Sequence, residues 1–230
     1  MNRHAVVWDM GGTLLDTYPD VDRALYRAVH GRDPADEDAL REVSLLTRRS
    51  IAEAIRALAA RYGMDPAALD GAYADVRARW AHEPAPLMDG VPEVLAAVRR
   101  RGGLNLVVTH RDRASATDLL AGHGLAADDL ICADDGFPRK PDPAMITAVL
   151  SRHGVSPADA LAIGDRALDV QAARAAGVPA VLLVTPGLPV ADDAGASMTV
   201  TSVRGLLPAV ADWGRRAERP GLIHSSRKVP

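Results

Sequence analysis

Residues 6–17 read VVWDMGGTLLDT. An apolar run, 5–8, stops at Asp9, and two glycines and a threonine follow at once. Four apolar residues in a row are the mark of a short strand buried on both faces, as strands of a parallel sheet are. A carboxylate where such a strand stops, followed by Gly11, Gly12 and Thr13, is a strand opening onto a tight polar turn.

Working outward, the same signal recurs. Apolar runs at 104–108 (LNLVV), 129–133 (DLICA), 160–164 (ALAIG) and 179–184 (PAVLLV) predict further buried strands, with a weak sixth at 198–201. Helical patterns separate the later ones. Residues 112–123 start on Asp112 as N-cap, 142–153 start on Asp142-Pro143, and 168–176 stop at Gly177. Strand–helix alternation predicts an α/β fold, a doubly wound parallel sheet of Rossmann-like type.

Residues 17–86 break the rhythm. They carry no strand pattern but four helical ones, 21–30, 35–46, 50–62 and 65–81, the last with Asp65 as cap before Pro66. Two short joints, DTYPD (16–20) and HEPAP (82–86), flank them. The predicted organisation is a core of 1–16 and 87–215, a small all-helical cap of 17–86, and a frayed tail of 216–230.

The chain has 230 residues, 48% hydrophobic, with a net charge of −3. That length suits one core carrying a smaller unit. The charge and the scarcity of aromatics argue against nucleic acid. With no run of 18 apolar residues and no secretory leader in MNRHAVVWDM, no membrane contact is expected and cytoplasm is the expected compartment. Cys132 is the single cysteine, so neither disulfides nor a cysteine metal site is expected. Oligomeric state is not encoded in any of these features.

In an open parallel sheet, ligands bind at the carboxyl ends of the strands. Those ends carry Asp9, then Thr109 with His110 and Arg111, then Lys140 in the loop ADDGFPRKPDP, then Asp165 and Asp169 in GDRALD. A carboxylate nucleophile such as Asp9 can take up a phosphoryl group. Mg²⁺ accepts carboxylates, carbonyls and phosphate oxygens. Asp9, Asp165 and the Gly11 carbonyl are the candidate ligands, with Asp169 acting through a water. Thr109 and the amides of Gly12 and Thr13 are candidates for holding phosphoryl oxygens, and His110 and Arg111 for touching substrate. Lys140 has a further mark. Of 27 basic residues only Lys140 and Lys228 are lysines, so a point charge rather than a planar fork is required at that rim. Arg166 flanks the site as well. Arg48 and Arg49, before a cap helix, are candidate substrate anchors or a solvated face.

Asp9-x-x-Gly12-Thr13-Leu14, Thr109 after a strand, Lys140-Pro141, and Gly164-Asp165-x-x-x-Asp169 occur in that order. Together they resemble the four motifs of the haloacid dehalogenase-like hydrolase superfamily, over about residues 5–185, with the insert where phosphoglycolate-phosphatase-like members carry a cap. The resemblance implies Mg²⁺-dependent phosphoryl transfer from a small phosphorylated metabolite through Asp9, with the cap choosing the substrate. One position departs. Where phosphatases of the family carry an acid/base aspartate, this chain has Gly11. Three outcomes are open: a substrate with a good leaving group, a substitute such as His110, or a protein that chiefly binds phosphate and Mg²⁺ for regulation. A phosphotransferase or mutase is a further alternative. The phosphonate hydrolases of the family need a cap lysine, and 16–87 contains none.

Overall fold

The computed structural model describes residues 4–188 and 193–211. The expected tail, 216–230, lies outside the described residues. Strand β1 (Ala5–Trp8) is followed by four helices, α1 (Tyr18–His30), α2 (Glu37–Arg49), α3 (Ile51–Tyr62) and α4 (Pro66–Trp80). Then come α5 (Val91–Arg100), β2 (Leu104–Val108), α6 (Arg113–Gly122), β3 (Asp129–Ile131), α7 (Ala144–His153), β4 (Ala160–Gly164), α8 (Ala167–Ala175), β5 (Ala180–Leu183), β6 (Met198–Val200) and α9 (Leu207–Ala211).

The six strands form one sheet in the order β3-β2-β1-β4-β5-β6, every pair parallel. This is the doubly wound Rossmann-like order, with its reversal point beside β1. Successive side chains of a strand face opposite sides. Accordingly Val6 and Trp8 pack in one apolar cluster with Val107 and Ile163, and Ala5 and Val7 in another with Leu106 and Ala162. Both faces are covered, which is why the strands read as unbroken apolar runs. Trp8 pairs with Val107 on one side and Ile163 on the other. That register brings Asp9, Thr109 and Asp165 out at one rim.

Several expected boundaries shift, α2 for one running Glu37–Arg49 against 35–46, and two of the shifts have clear local reasons. Strand β3 stops at Ile131, short of Ala133, because the Cys132 amide donates to the Asp135 carboxylate (2.9 Å) and the Ala133 amide to the Arg111 carbonyl (2.9 Å). Helix α1 starts at Tyr18 rather than 21, with Pro19 in its first turn. Proline costs nothing there, since that N–H has no helical partner. The capping aspartates Asp65 and Asp112 stand as read, accepting from the amides of Ala67 (2.9 Å) and Ser115 (2.8 Å).

The four inserted helices pack on one another, α1 against α2 and α4, and α2 against α3. Their two connectors run side by side. The Asp16 amide donates to the Pro86 carbonyl (2.8 Å) and the Met88 amide to the Leu14 carbonyl (3.0 Å). The insert therefore enters and leaves at one point next to Asp9. No helix among the described residues is long and apolar enough to cross a membrane.

Candidate active site

The turn after β1 is fixed by the chain's own amides. The Met10 carbonyl accepts from Leu14 and Leu15 (2.9 Å each), and the Gly12 amide donates to the Leu15 carbonyl (2.7 Å). Gly12 has φ +86°, and a Cβ there would lie 2.4 Å from the Tyr18 ring and 2.6 Å from an Asp165 oxygen. Only glycine fits. Gly12 and Thr13, expected to offer amides to phosphate, here direct them at backbone carbonyls of the turn. The Gly12 amide is used by Leu15, the Thr13 amide points to the Met10 carbonyl (3.4 Å), and the Thr13 hydroxyl donates to Asp165 (3.3 Å). Both residues build the turn that carries Asp9, and Thr13 steadies Asp165.

Around that turn the expected charged groups converge. Lys140 Nζ donates to Asp9 Oδ1 (2.5 Å), Asp169 Oδ1 (2.5 Å) and the Val108 carbonyl (3.2 Å). All three of its protons are used, a geometry that suits an ammonium and not a fork. Lys140, Asp9 and Asp169 are buried. The ligand atoms of Asp9, Asp165 and Asp169 lie within 4.8 Å of one another. Asp9 Oδ2 is buried without a hydrogen-bond partner, an arrangement that costs free energy unless an electrophile or a cation meets it. A donor set of carboxylates is what a hard divalent cation takes.

The ionisation pattern follows from this packing. Burial pushes the Asp165 carboxyl up to about 7, with the Asp9 charge adding to the rise. Burial raises Asp9 too, against the pull of Lys140. Asp169 is held low, because Lys140 and Arg166 outweigh its burial. Burial alone would lower Lys140, but Asp169 and Asp9 outweigh it and raise it. Asp169, expected to meet the metal through a water, belongs to this group of carboxylates, and its Oδ2 accepts from the Arg166 amide (3.1 Å) at the start of α8. Both its oxygens are thus engaged, in orienting Lys140 and capping that helix.

A cleft of about 240 Å³ opens over Asp9 and Gly11. Thr109, His110, Arg111 and Arg166 line it from the sheet side, and Tyr18, Thr47, Ser50 and Tyr73 from the inserted helices. The Thr109 hydroxyl accepts from the Arg111 amide (3.2 Å), which leaves its own proton free to donate. His110 Nε2 accepts from the Lys140 amide (2.9 Å). Burial, with Lys140 and Arg166 adding to it, lowers His110 to about 4. With its Nε2 accepting from the Lys140 amide, His110 holds the Lys140 loop.

Arg48 and Arg49 do not reach this cleft. Arg48 pairs with Asp22 inside the insert (2.6 Å) and lies over the Tyr18 ring, 4.1 Å from its centroid. Arg49 stands 3.9 Å from Glu53 on the surface. Both also line a second cavity that reaches Asp165 and Arg166. Tyr18, which the sequence reading passed over, is central: its hydroxyl donates to Asp165 Oδ2 at 2.5 Å, tying the first inserted helix to the rim. Its place within the first connector, where α1 begins, was the available signal.

The family model of haloacid dehalogenase-like hydrolases matches residues 4–177. The chain is 34% identical over 187 residues to the N-acetylmuramic acid 6-phosphate phosphatase of Pseudomonas aeruginosa, covering 77% of this chain and 80% of that one. It is 33% identical over 227 residues to the phosphoglycolate phosphatase of Pseudomonas putida, covering 90% and 79%. A solved hydrolase from Streptococcus pneumoniae shares the fold at TM-score 0.62 and 28% identity, over 81% of this chain and 95% of that one. On its motifs, its sheet order and these matches, the chain belongs to the haloacid dehalogenase-like hydrolase family and is an enzyme of its phosphatase branch.

Proposed function

We propose that the chain hydrolyses a small phosphorylated metabolite with Mg²⁺, through an aspartyl-phosphate at Asp9, the inserted helices 18–80 serving as the cap that admits the substrate. The observation that carries this reading is Asp9 itself. One oxygen is neutralised by Lys140, and the other is buried, unpartnered and beside the cleft.

Asp9, Asp165 and the Gly11 carbonyl would hold Mg²⁺, which when bound supplies positive charge to the phosphoryl oxygens. Asp9 Oδ2 attacks phosphorus as the bond from phosphorus to the leaving oxygen breaks. Thr109 donates to a phosphoryl oxygen, and Lys140 keeps the nucleophilic carboxylate ionised in a dry pocket. Water then attacks the phosphoenzyme, returning the Asp9 carboxylate and releasing phosphate with both water protons. Three carboxylates, Asp9, Asp165 and Asp169, are matched by the cations Lys140, Arg111 and Arg166, so a dication and a phosphate dianion enter a balanced site.

The test is turnover of p-nitrophenyl phosphate, acetyl phosphate, phosphoglycolate and N-acetylmuramic acid 6-phosphate with Mg²⁺, against Asp9→Asn. Turnover well above that control is expected, and none would refute the reading. Gly11 favours a second reading, a phosphate-binding regulator or a phosphotransferase with a long-lived phosphoenzyme. Calorimetric binding of phosphorylated compounds without release of phosphate would support it.

A further inference from the structure

Gly11 is not merely an absence, because its neighbourhood is filled. A Cβ built on Gly11 would lie 3.6 Å from Arg111 Nη2 and 3.9 Å from its Nε, with Thr17 Oγ1 at 3.3 Å. A carboxylate at position 11 would start within van der Waals contact of the guanidinium and within reach of pairing with it. Arg111 follows β2 and is held there from three sides. Its amide donates to Thr109 Oγ1, its carbonyl accepts from the Ala133 amide, and its guanidinium lies over Trp80 of α4, 5.0 Å from the ring centroid. Its Nη1 is buried and has no hydrogen-bond partner. A buried guanidinium N–H left unpaired is costly until an acceptor arrives, and in a cleft over Asp9 that acceptor is an anionic oxygen of the substrate.

We propose that Arg111 replaces the proton donor absent at position 11 with a fixed positive charge, its guanidinium donating hydrogen bonds to the oxygen that leaves phosphorus. The proposal rests on the phosphatase reading and narrows its substrate class. As the bond from Asp9 to phosphorus forms, the leaving oxygen departs with the bonding electron pair as an anion held against Arg111. No proton moves in that step, since arginine does not release one at any working pH. Such a site favours leaving groups that are stable as anions, the acyl and aryl phosphates, over alkyl phosphates, whose alkoxides need a proton.

The experiment uses full-length protein with Mg²⁺ and a series of aryl phosphates of graded leaving-group acidity, closed by an alkyl phosphate. Arg111→Gln is expected to lower kcat about 10²-fold, as loss of one charge-stabilising donor does. The loss should deepen as the leaving group worsens, with KM little changed. Arg111→Lys, which keeps the charge, should retain most of the wild-type dependence, and it supplies the comparison if the glutamine variant does not fold. Gly11→Asp alone should gain little, because the new carboxylate pairs with Arg111. In the Arg111→Gln background the same change should raise alkyl phosphate turnover about 10²-fold. An Arg111→Gln loss equal across the series, or confined to KM, overturns the proposal, as does an equal Gly11→Asp gain in both backgrounds. Wild type no faster than Asp9→Asn overturns the phosphatase reading and this proposal with it; a flat leaving-group response overturns only the role of Arg111.

Discussion

Lys140 joins Asp9 of β1 to Asp169 of α8 with one ammonium. Lys140→Met would leave two buried carboxylates facing each other without a cation. The expected cost is about 3–5 kcal/mol in thermal or urea unfolding, partly restored by Mg²⁺, together with loss of turnover. Lys140→Arg keeps the charge, yet its planar fork cannot place donors on both carboxylates and the Val108 carbonyl, so turnover should still collapse. The scarcity of lysine made this residue legible in the sequence. His110 was legible only as a neighbour. Its folded-state value of about 4 lies below the ordinary 6.5, so between those values the unfolded chain binds the proton that the folded chain refuses. The stability it contributes is present above pH 6.5 and is lost as pH falls toward 4. His110→Asn keeps an acceptor for the Lys140 amide and removes the titration. Relative to that variant, wild type should lose stability over this window in pH-dependent denaturation.

At the scale of elements, the strands and caps follow from local chemistry. Asp65 and Asp112 cap the helices they precede because a short carboxylate reaches the first-turn amides. Strand β3 ended early because Asp135 and Arg111 capture the next two amides, partners that no periodicity in 129–133 reveals. The inserted helices show the same division. Their amphipathic patterns predict that they form but not how each is turned. Arg48 faces inward to Asp22, whose carboxylate also accepts from Ser44 (2.7 Å) and Thr47 (2.6 Å). Arg48→Ala should therefore lower thermal stability by about 1–3 kcal/mol while KM stays near wild type. A substrate anchor would give the reverse, a raised KM with unchanged melting.

At the scale of the whole molecule, the proposed Mg²⁺ site would link cation binding to folding through Asp165. Its folded-state value of about 7 is raised from an ordinary 3.8. Across that interval the metal-free folded state holds a proton that the unfolded chain does not. Metal-free stability should then fall as pH climbs from about 4 through about 7. On the proposed function, Mg²⁺ would relieve that penalty by pairing the ionised carboxylate. The rise in melting temperature on adding Mg²⁺ should be larger at pH 8 than at pH 6, and should vanish on chelation and in Asp165→Asn; a saturated site gives about 2.7 kcal/mol at a hundred times its Kd. Tyr18 extends the linkage to the insert, since its hydroxyl bonds the same carboxylate.

The sequence by itself determined the sheet, the inserted helices and the rim on which Asp9, Thr109, Lys140, Asp165 and Asp169 meet. Apolar runs fix which segments become buried strands, parallel pairing aligns their ends, and whatever follows a strand end must emerge at that rim. Only the tertiary structure decided that Arg111 lies against Gly11, that Tyr18 bonds Asp165, and that Thr47, Ser50 and Tyr73 rather than Arg48 or Arg49 face the cleft. Those contacts depend on how the inserted helices are rotated against the sheet. That rotation is set by packing between surfaces distant in sequence, for which local spacing carries no signature.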